Sequence, residues 1–320
     1  MGDGPRIVHM DVDDDDGGMR LDRWLRARFP AVPLGALSRA VRKGEVRVNG
    51  SRAKMDTRLE PGQTVRLPPI KAGDAPATPV AEGAGGALDA MVLHKDASVA
   101  VLNKPFGLAV QGGSGVSRHV DAMLSAWTDK KGRKPRLVHR LDRDTTGVLV
   151  VALTRSAAAK LSEAFRGRDA KKTYLAVVRG HPTPPEGRVS NFMRRDPLDG
   201  EKMRVTPTKT KDAQRAISDY EMLDQSGQLS LLSLHPITGR THQLRVHCAH
   251  LGVPIIGDPK YFNVENWALP GGLQNRLHLH ARRIMMPHPD GGTLDVTAPL
   301  PHHMSQTLSV MGLSVPTHEG

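Results

Sequence analysis

"RLVHRLDRDTTGVLVVALT", Arg136 to Thr154, places Arg140, Asp142, Arg143 and Asp144, with His139 beside them, directly in front of an apolar run, Val148 to Leu153. Six consecutive apolar residues bounded by turn-formers read as a buried strand. The charged loop before it is therefore held at the strand's mouth by the core. Charges fixed at such a place are either an ion-pair network or a site.

On the C-terminal side, "SAAAKLSEAFRG" puts Leu161 and Phe165 one helical turn apart, and "KKTYLAVVRG" around Tyr174 reads as a strand. Further strands are expected in "VAVLNKPFGLAV", "RAISDYEML", "LSLLSLHP" and "TLDVTAPL", and a further helix in "HQLRVHCAHLGVP", where Leu244, Cys248 and Leu251 follow i, i+4, i+7. Strands separated by turn signals such as Ser226-Gly227 point to α+β architecture: a mixed, mostly antiparallel sheet with flanking helices. This larger domain is expected over residues 91–305, followed by a loose tail, 306–320.

Residues 19–68 form a separate, very basic unit. Leu21, Trp24 and Leu25 make the apolar stripe of one short helix, with Arg20, Arg23 and Arg26 on its remaining surface. A second helix places Leu34, Leu37 and Val41 on one side, surrounded by Arg39, Arg42 and Lys43, and ends at Gly44. A hairpin turning at Asn49-Gly50 and a strand after Pro61-Gly62 complete the unit. From Arg20 to Leu67 there are twelve Arg and Lys against four Asp and Glu. Two-thirds of the chain's net charge of +12 therefore sits in under a sixth of its 320 residues. Clustered cations of this kind neutralise phosphates and release counterions, so contact with RNA or DNA is expected here.

The remaining composition narrows the classes. No apolar run approaches the roughly 18 residues of a membrane span. The stretch 1–18, "MGDGPRIVHMDVDDDDGG", lacks an apolar signal core and reads as a flexible acidic leader, so export is not expected. One cysteine, Cys248, rules out an internal disulfide framework and fits a reducing cytoplasm. Aromatics are only 3%, too few for a broad base-stacking platform. Residues 69–90, rich in Ala, Gly and Pro, read as a linker.

The basic unit, in "RLDRWL", "LSRAVRKGEVRVNG" and "LEPGQTVRL", resembles an S4 RNA-binding module, which implies a helical pair with its basic face on structured RNA. "NKPFG", "HRLDRDTTG", "KTYLAVVRG" and "TGRTHQLRVH", in that order, resemble the motifs of the RluA family of ribosomal large-subunit pseudouridine synthases. With the S4-like module in front, the resemblance extends over roughly residues 19 to 305 and points to the RluC and RluD branch, closer to its RluC-like members.

The resemblance implies the pseudouridine synthase fold and conversion of uridine to pseudouridine in 23S ribosomal RNA without a cofactor or metal, by a cytoplasmic protein acting as a single copy and not on membranes. Asp142 matches the family's catalytic aspartate, which acts as nucleophile at C1′ or as base at C2′. A carboxylate suits either route, because a cationic sugar transition state needs an adjacent anion. Arg245 matches the arginine that pairs with it. Tyr174 matches the tyrosine that sits against the uracil, where it can stack and assist removal of the C5 proton. Arg140 matches the arginine that enters the stack vacated by the flipped base, whose extrusion costs a few kcal/mol. His139, Lys104, Thr146, Arg240 and His242 are expected to contact substrate RNA in the larger domain, and Arg20, Arg23, Arg39, Arg42 and Lys43 in the smaller.

Asp144 reads as a structural partner of Thr145 and Thr146. His242, His247, Cys248 and His250 match no common zinc spacing, and Cys248 shares the apolar stripe of Leu244 and Leu251. His278 and His280 alternate as structural strand residues do. Rival readings are a tRNA pseudouridine synthase, a non-catalytic RNA-binding assembly factor, and a metal-dependent nuclease. The last would need clustered carboxylates on a metal, for which Asp142 and Asp144 are a poor case.

Overall fold

The computed structural model describes residues 7–13, 16–29, 32–69, 84–112, 118–129, 132–262 and 267–316. In the small N-terminal unit, helices Leu21–Arg28 and Leu34–Lys43 bury Leu21, Trp24, Leu25, Leu37 and Val41 in one core. Leu34, placed on that apolar side from the sequence, is instead 42% exposed, because it occupies the first turn, beyond the reach of the core. Gly44 ends the second helix in the left-handed conformation, φ 73°.

A four-stranded sheet covers these helices in the order Val8–Asp11, Thr64–Leu67, Arg47–Val48, Ser51–Arg52. Asn49 and Gly50, both at positive φ, make the tight hairpin turn expected of them. The leader assignment is corrected here. Val8–Asp11 pairs with Thr64–Leu67, Val12 enters the core, and buried Asp16 accepts from Trp24 Nε1 at 3.0 Å and pairs with Arg28. The acidic run had suggested a solvated segment, but one of its carboxylates is neutralised inside the unit. Residues 1–6, 14 and 15 of the expected leader, and 70–83 of the expected linker, lie outside the described residues.

The larger sheet has eleven strands. Its main order is Met203–Thr206, Glu186–Arg195, Gln214–Ser226, Leu229–Pro236, Lys171–Arg179, Leu279–Pro287, Thr146–Ala152, Val99–Lys104, Val92–Lys95. Thr293–Thr297 pairs beside Leu279–Pro287, and Arg136–Leu137 beside Thr146–Ala152. Among the described residues every pairing in this sheet is antiparallel except one, where His280 and Ala281 run parallel to Thr146 and Gly147. The architecture is α+β, as the sequence indicated.

Thr146–Ala152 is buried along its whole length. Val148, Val150 and Ala152 pack under helix Arg155–Gly167 through Leu161 and Ala164. Leu149 and Val151 pack on the opposite face against Leu88, Leu102 and Leu124. The strand is apolar throughout because both faces are covered. Gly147, at φ 104°, is its second residue: a Cβ there would collide with the Ala281 carbonyl oxygen, so only glycine admits the neighbouring strand.

Two boundaries shift from the sequence reading. The expected linker ends earlier, since helix Ala84–Asp89 buries Leu88 against Leu102 and Leu149. The expected tail is part of the core as far as Leu313. Helix His302–Met311 buries Met304 and Leu308 at i, i+4 against Leu175, Val177 and Leu231, and Asp224 accepts from Ser314 N and Oγ.

Three buried histidines hold this framework neutral. His278 donates from Nδ1 to the Arg276 carbonyl at 2.7 Å, Thr146 Oγ1 lies 2.8 Å from His280 Nδ1, and Ser218 Oγ lies 3.0 Å from His247 Nδ1. Burial lowers each pKa to about 4. The unfolded chain protonates them near 6.5 and the native chain near 4, so their contribution is complete above pH 6.5 and is lost as pH falls towards 4. Each costs up to about 1.4 kcal/mol per pH unit in that window. Urea midpoints should therefore drop markedly between pH 7.5 and 5.5, by up to about 4 kcal/mol in total. A flat profile over that range would contradict neutral burial.

Candidate active site

The loop from His139 to Thr145 is fixed from inside the fold. Fully buried Lys104 donates from Nζ to the carbonyls of Pro105 at 3.0 Å, Leu108 at 2.8 Å and Arg143 at 2.8 Å, stapling the Lys-Pro-Phe-Gly turn to the loop. Burial lowers its pKa to about 7, with Asp144 and Asp142 pulling the other way. His139 accepts from Val150 N at 2.8 Å and stacks on Phe165 at 4.4 Å, and burial holds it neutral with a pKa of about 3. Thr146 is buried against His280. Lys104 and Thr146 are thus scaffold residues, a correction to their expected RNA contacts, whereas His139 braces the loop and also lines the cleft. A tight loop turns carbonyls and amides inward, and these side chains satisfy or brace them.

What the loop presents outward is Asp142, with Arg140 exposed beside it. The Asp142 carboxylate is 20% exposed; its Oδ2 lies 3.4 Å from Arg245 NH1 and 3.9 Å from His242 Nε2. Asp144 instead pairs with Arg143 at 3.2 Å.

Arg245 lies on helix Gln243–His250, with its side chain only 4% exposed. Its principal partner was not singled out from the sequence. Nε and NH2 bind the two oxygens of Asp258 at 2.8 and 2.7 Å, and the Asp258 carboxylate is completely buried. Asp258 also accepts from the Lys260 and Tyr261 amides. Its signal lay inside "PIIGDPKY", where an aspartate after Gly257 resembled a turn residue. The bidentate grip fixes the guanidinium plane so that the third nitrogen, NH1, faces Asp142.

His242 precedes the helix in the left-handed conformation, φ 54°. Met203 N donates to Tyr261 Oη at 2.8 Å, and that hydroxyl donates to His242 Nδ1 at 2.7 Å, leaving Nε2–H towards Asp142. Burial lowers the His242 pKa, with the Asp142 charge opposing. Gln243 locks the preceding loop: Oε1 accepts from Thr238 Oγ1 and Arg240 N, while Nε2 donates to the Ile217 carbonyl and Ser218 Oγ. Arg240 is exposed, with Nε on the Arg215 carbonyl.

Tyr174 comes from the central strand Lys171–Arg179, in register with Leu234 and Ala281. Burial pushes its hydroxyl far above the usual tyrosine range, and the Asp142 charge adds to this, so the phenol stays protonated. Together Asp142, Tyr174, Arg245, Arg140, Arg240 and His242 line one cleft of about 460 Å³. A carboxylate backed by a buried guanidinium, facing an aromatic ring in a nucleotide-sized cleft, can stabilise or attack a cationic sugar carbon.

Of the group weighed for zinc, Cys248 is buried in the core with Leu244, its thiol pushed up to about 12, and His247 bonds Ser218 and Asn191. In the small unit Arg23, Arg39, Arg42 and Lys43 are exposed. Arg20 is also exposed but shares its guanidinium with Asp22 at 3.2 and 2.8 Å, a pair open to competition from phosphate.

The profile of the RNA pseudouridylate synthase family matches residues 98–250, and that of the S4 domain residues 19–65. The chain is 37% identical over 310 residues to ribosomal large subunit pseudouridine synthase C of Haemophilus influenzae, covering 94% of both chains. The chain belongs to the RNA pseudouridylate synthase family. The Vibrio cholerae protein of the same name is 36% identical over 96% of this chain and 97% of its own. Human RNA pseudouridylate synthase domain containing 4 superposes with a TM-score of 0.63 at 31% identity, over 74% of this chain and 99% of that one. As a pseudouridine synthase the chain is an isomerase, and its family motifs meet at the cleft around Asp142.

Asp258→Ala would leave the Arg245 guanidinium buried without its main counter-charge. We expect a loss of about 3–5 kcal/mol in urea unfolding. A loss below about 1 kcal/mol would show that Asp142 alone can hold the arginine.

Proposed function

We propose that the chain converts uridine to pseudouridine in large-subunit 23S ribosomal RNA, with Asp142 as the reacting carboxylate. The observation that carries the substrate is the end-to-end similarity to the Haemophilus influenzae ribosomal large subunit pseudouridine synthase C. The cationic face of the S4 domain supports it, because phosphate contacts supply sequence-independent affinity for folded RNA.

In this reading the target uridine is extruded into the cleft and Arg140, at the rim, fills its place in the stack. Asp142 acts at the ribose as the N1–C1′ bond breaks, either by attack at C1′, from which C5 later displaces it, or by taking a proton from C2′ and returning it as C5 bonds to C1′; the C5 proton is then lost and N1 takes one up. Arg245, held by Asp258, aims the carboxylate. Tyr174 packs against the uracil ring; because its hydroxyl stays protonated, any part in removing the C5 proton runs through a phenol and not a phenolate. The chain works as a single copy in the cytoplasm. No helix among the described residues is long and apolar enough to cross a membrane.

Asp142→Asn should lower turnover on unmodified large-subunit RNA more than a hundredfold while leaving affinity nearly unchanged, since binding energy comes from phosphates remote from the carboxylate. Pseudouridine mapping after single-turnover incubation gives the rate. Retention of more than about a hundredth of the wild-type rate would remove Asp142 from the essential role. Deleting residues 1–69 should weaken RNA binding and flatten the dependence of log affinity on log salt, with a much smaller effect on the rate at saturating RNA. An unchanged salt slope would mean that the small domain is not the RNA anchor.

A further inference from the structure

Lys172 and Tyr174 stand two residues apart on the strand Lys171–Arg179, so their side chains project from the same face of the sheet. Both line the cleft, whose lining also includes Phe165, Arg166 and Arg168, and the Lys172 charge is felt at His139. Lys172 is half-buried at the cleft, and partial burial lowers its pKa, yet Nζ has no hydrogen bond or ion pair among the described residues. The other buried cations of the site are satisfied: Lys104 by three carbonyls and Arg245 by two carboxylates. A partly desolvated ammonium with no protein anion beside it gains from an anion that enters the cleft.

Two features identify that partner as an anion. Among the described residues Asp142 is the one carboxylate lining the cleft, and it faces Arg245 and His242. Arg168, which ends helix Arg155–Gly167, adopts the left-handed conformation, φ 71°, where glycine is the favoured residue. An arginine kept at a strained position in the cleft wall is placed for its side chain. The anion that RNA brings to this wall is the phosphodiester.

We propose that Lys172, together with Arg166 and Arg168 of the same cleft lining, forms an anion subsite that takes a phosphodiester next to the uridine being isomerised. This rests on the reading of the chain as an RNA isomerase. The subsite fixes the ribose by its phosphate while the N1–C1′ bond is broken, so that the sugar stays opposite Asp142 as the uracil turns.

The test is equilibrium binding of the full chain to in-vitro-transcribed, unmodified large-subunit ribosomal RNA over a series of KCl concentrations. Each phosphate contact contributes roughly 0.7 to 0.9 to the slope of log affinity against log salt. Lys172→Met should weaken binding about tenfold and make the slope shallower by about that amount, while Lys172→Arg keeps the wild-type slope. Arg168→Gly should also flatten the slope while melting at or above the wild-type temperature, because glycine relieves the left-handed backbone. That exposed position gives a reading even if Met is not tolerated at 172. A Lys172→Met protein that is folded but keeps the wild-type slope would overturn the subsite, and so would an unchanged slope in Arg168→Gly. Weaker binding at unchanged slope would instead assign Lys172 to an uncharged group such as a uracil carbonyl, against the proposal. Wild-type protein without salt-dependent binding to this RNA would sink the ribosomal reading itself, a result distinct from failure of the variants alone.

Discussion

One guanidinium organises the catalytic domain. Arg245 gives two nitrogens to Asp258, buried beneath it, and has the third left for Asp142 at 3.4 Å. The pair with Asp258 is dry and bidentate, so it sets the plane of the cation; the contact with Asp142 is longer and faces the cleft. A buried carboxylate thus aims a buried cation, which in turn aims the reactive carboxylate. Because Arg245 and Asp258 lie thirteen residues apart and Asp142 over a hundred residues earlier, the arrangement exists only when the sheet is complete.

The loop bearing Asp142 has few ways to move. Lys104 ties it to the turn after strand Val99–Lys104, His139 ties its start to the middle of strand Thr146–Ala152, and Gly147 lets the sheet close against its end. Each restraint is anchored on a buried strand or side chain, so the loop is positioned by the core. The acid sensitivity expected of the buried histidines follows from the same economy: His280 braces Thr146, and His247 braces the strand beneath the Arg245 helix.

Cationic groups fall into two tiers. Most of those of the small domain are exposed, numerous and suited to phosphate contact without base reading. Those of the cleft are fewer and, in Lys172, half-buried without a protein anion among the described residues. The first tier favours affinity and the second favours the placement of one nucleotide, a division that different salt and rate signatures separate.

The sequence by itself determined the element types of the larger sheet, its α+β class, the basic surface of the small domain and the candidacy of Asp142, Tyr174 and Arg245. Those properties are local: periodicity, turn chemistry, charge density and motif spacing survive in one dimension. The direction each polar side chain faces was decided only by the tertiary structure. Lys104 and Thr146 belong to family-like motifs as Asp142 does, but they turn inward, Lys104 onto loop carbonyls and Thr146 onto His280. Asp258 became visible only when the chain folded it under Arg245. Val8–Asp11 and helix His302–Met311 were too short or too weakly patterned to be assigned to the fold from sequence, and it is pairing with Thr64–Leu67 and packing on Leu175 and Leu231 that makes them structure. Composition distinguishes what can be buried; only the contacts between distant segments decide what is.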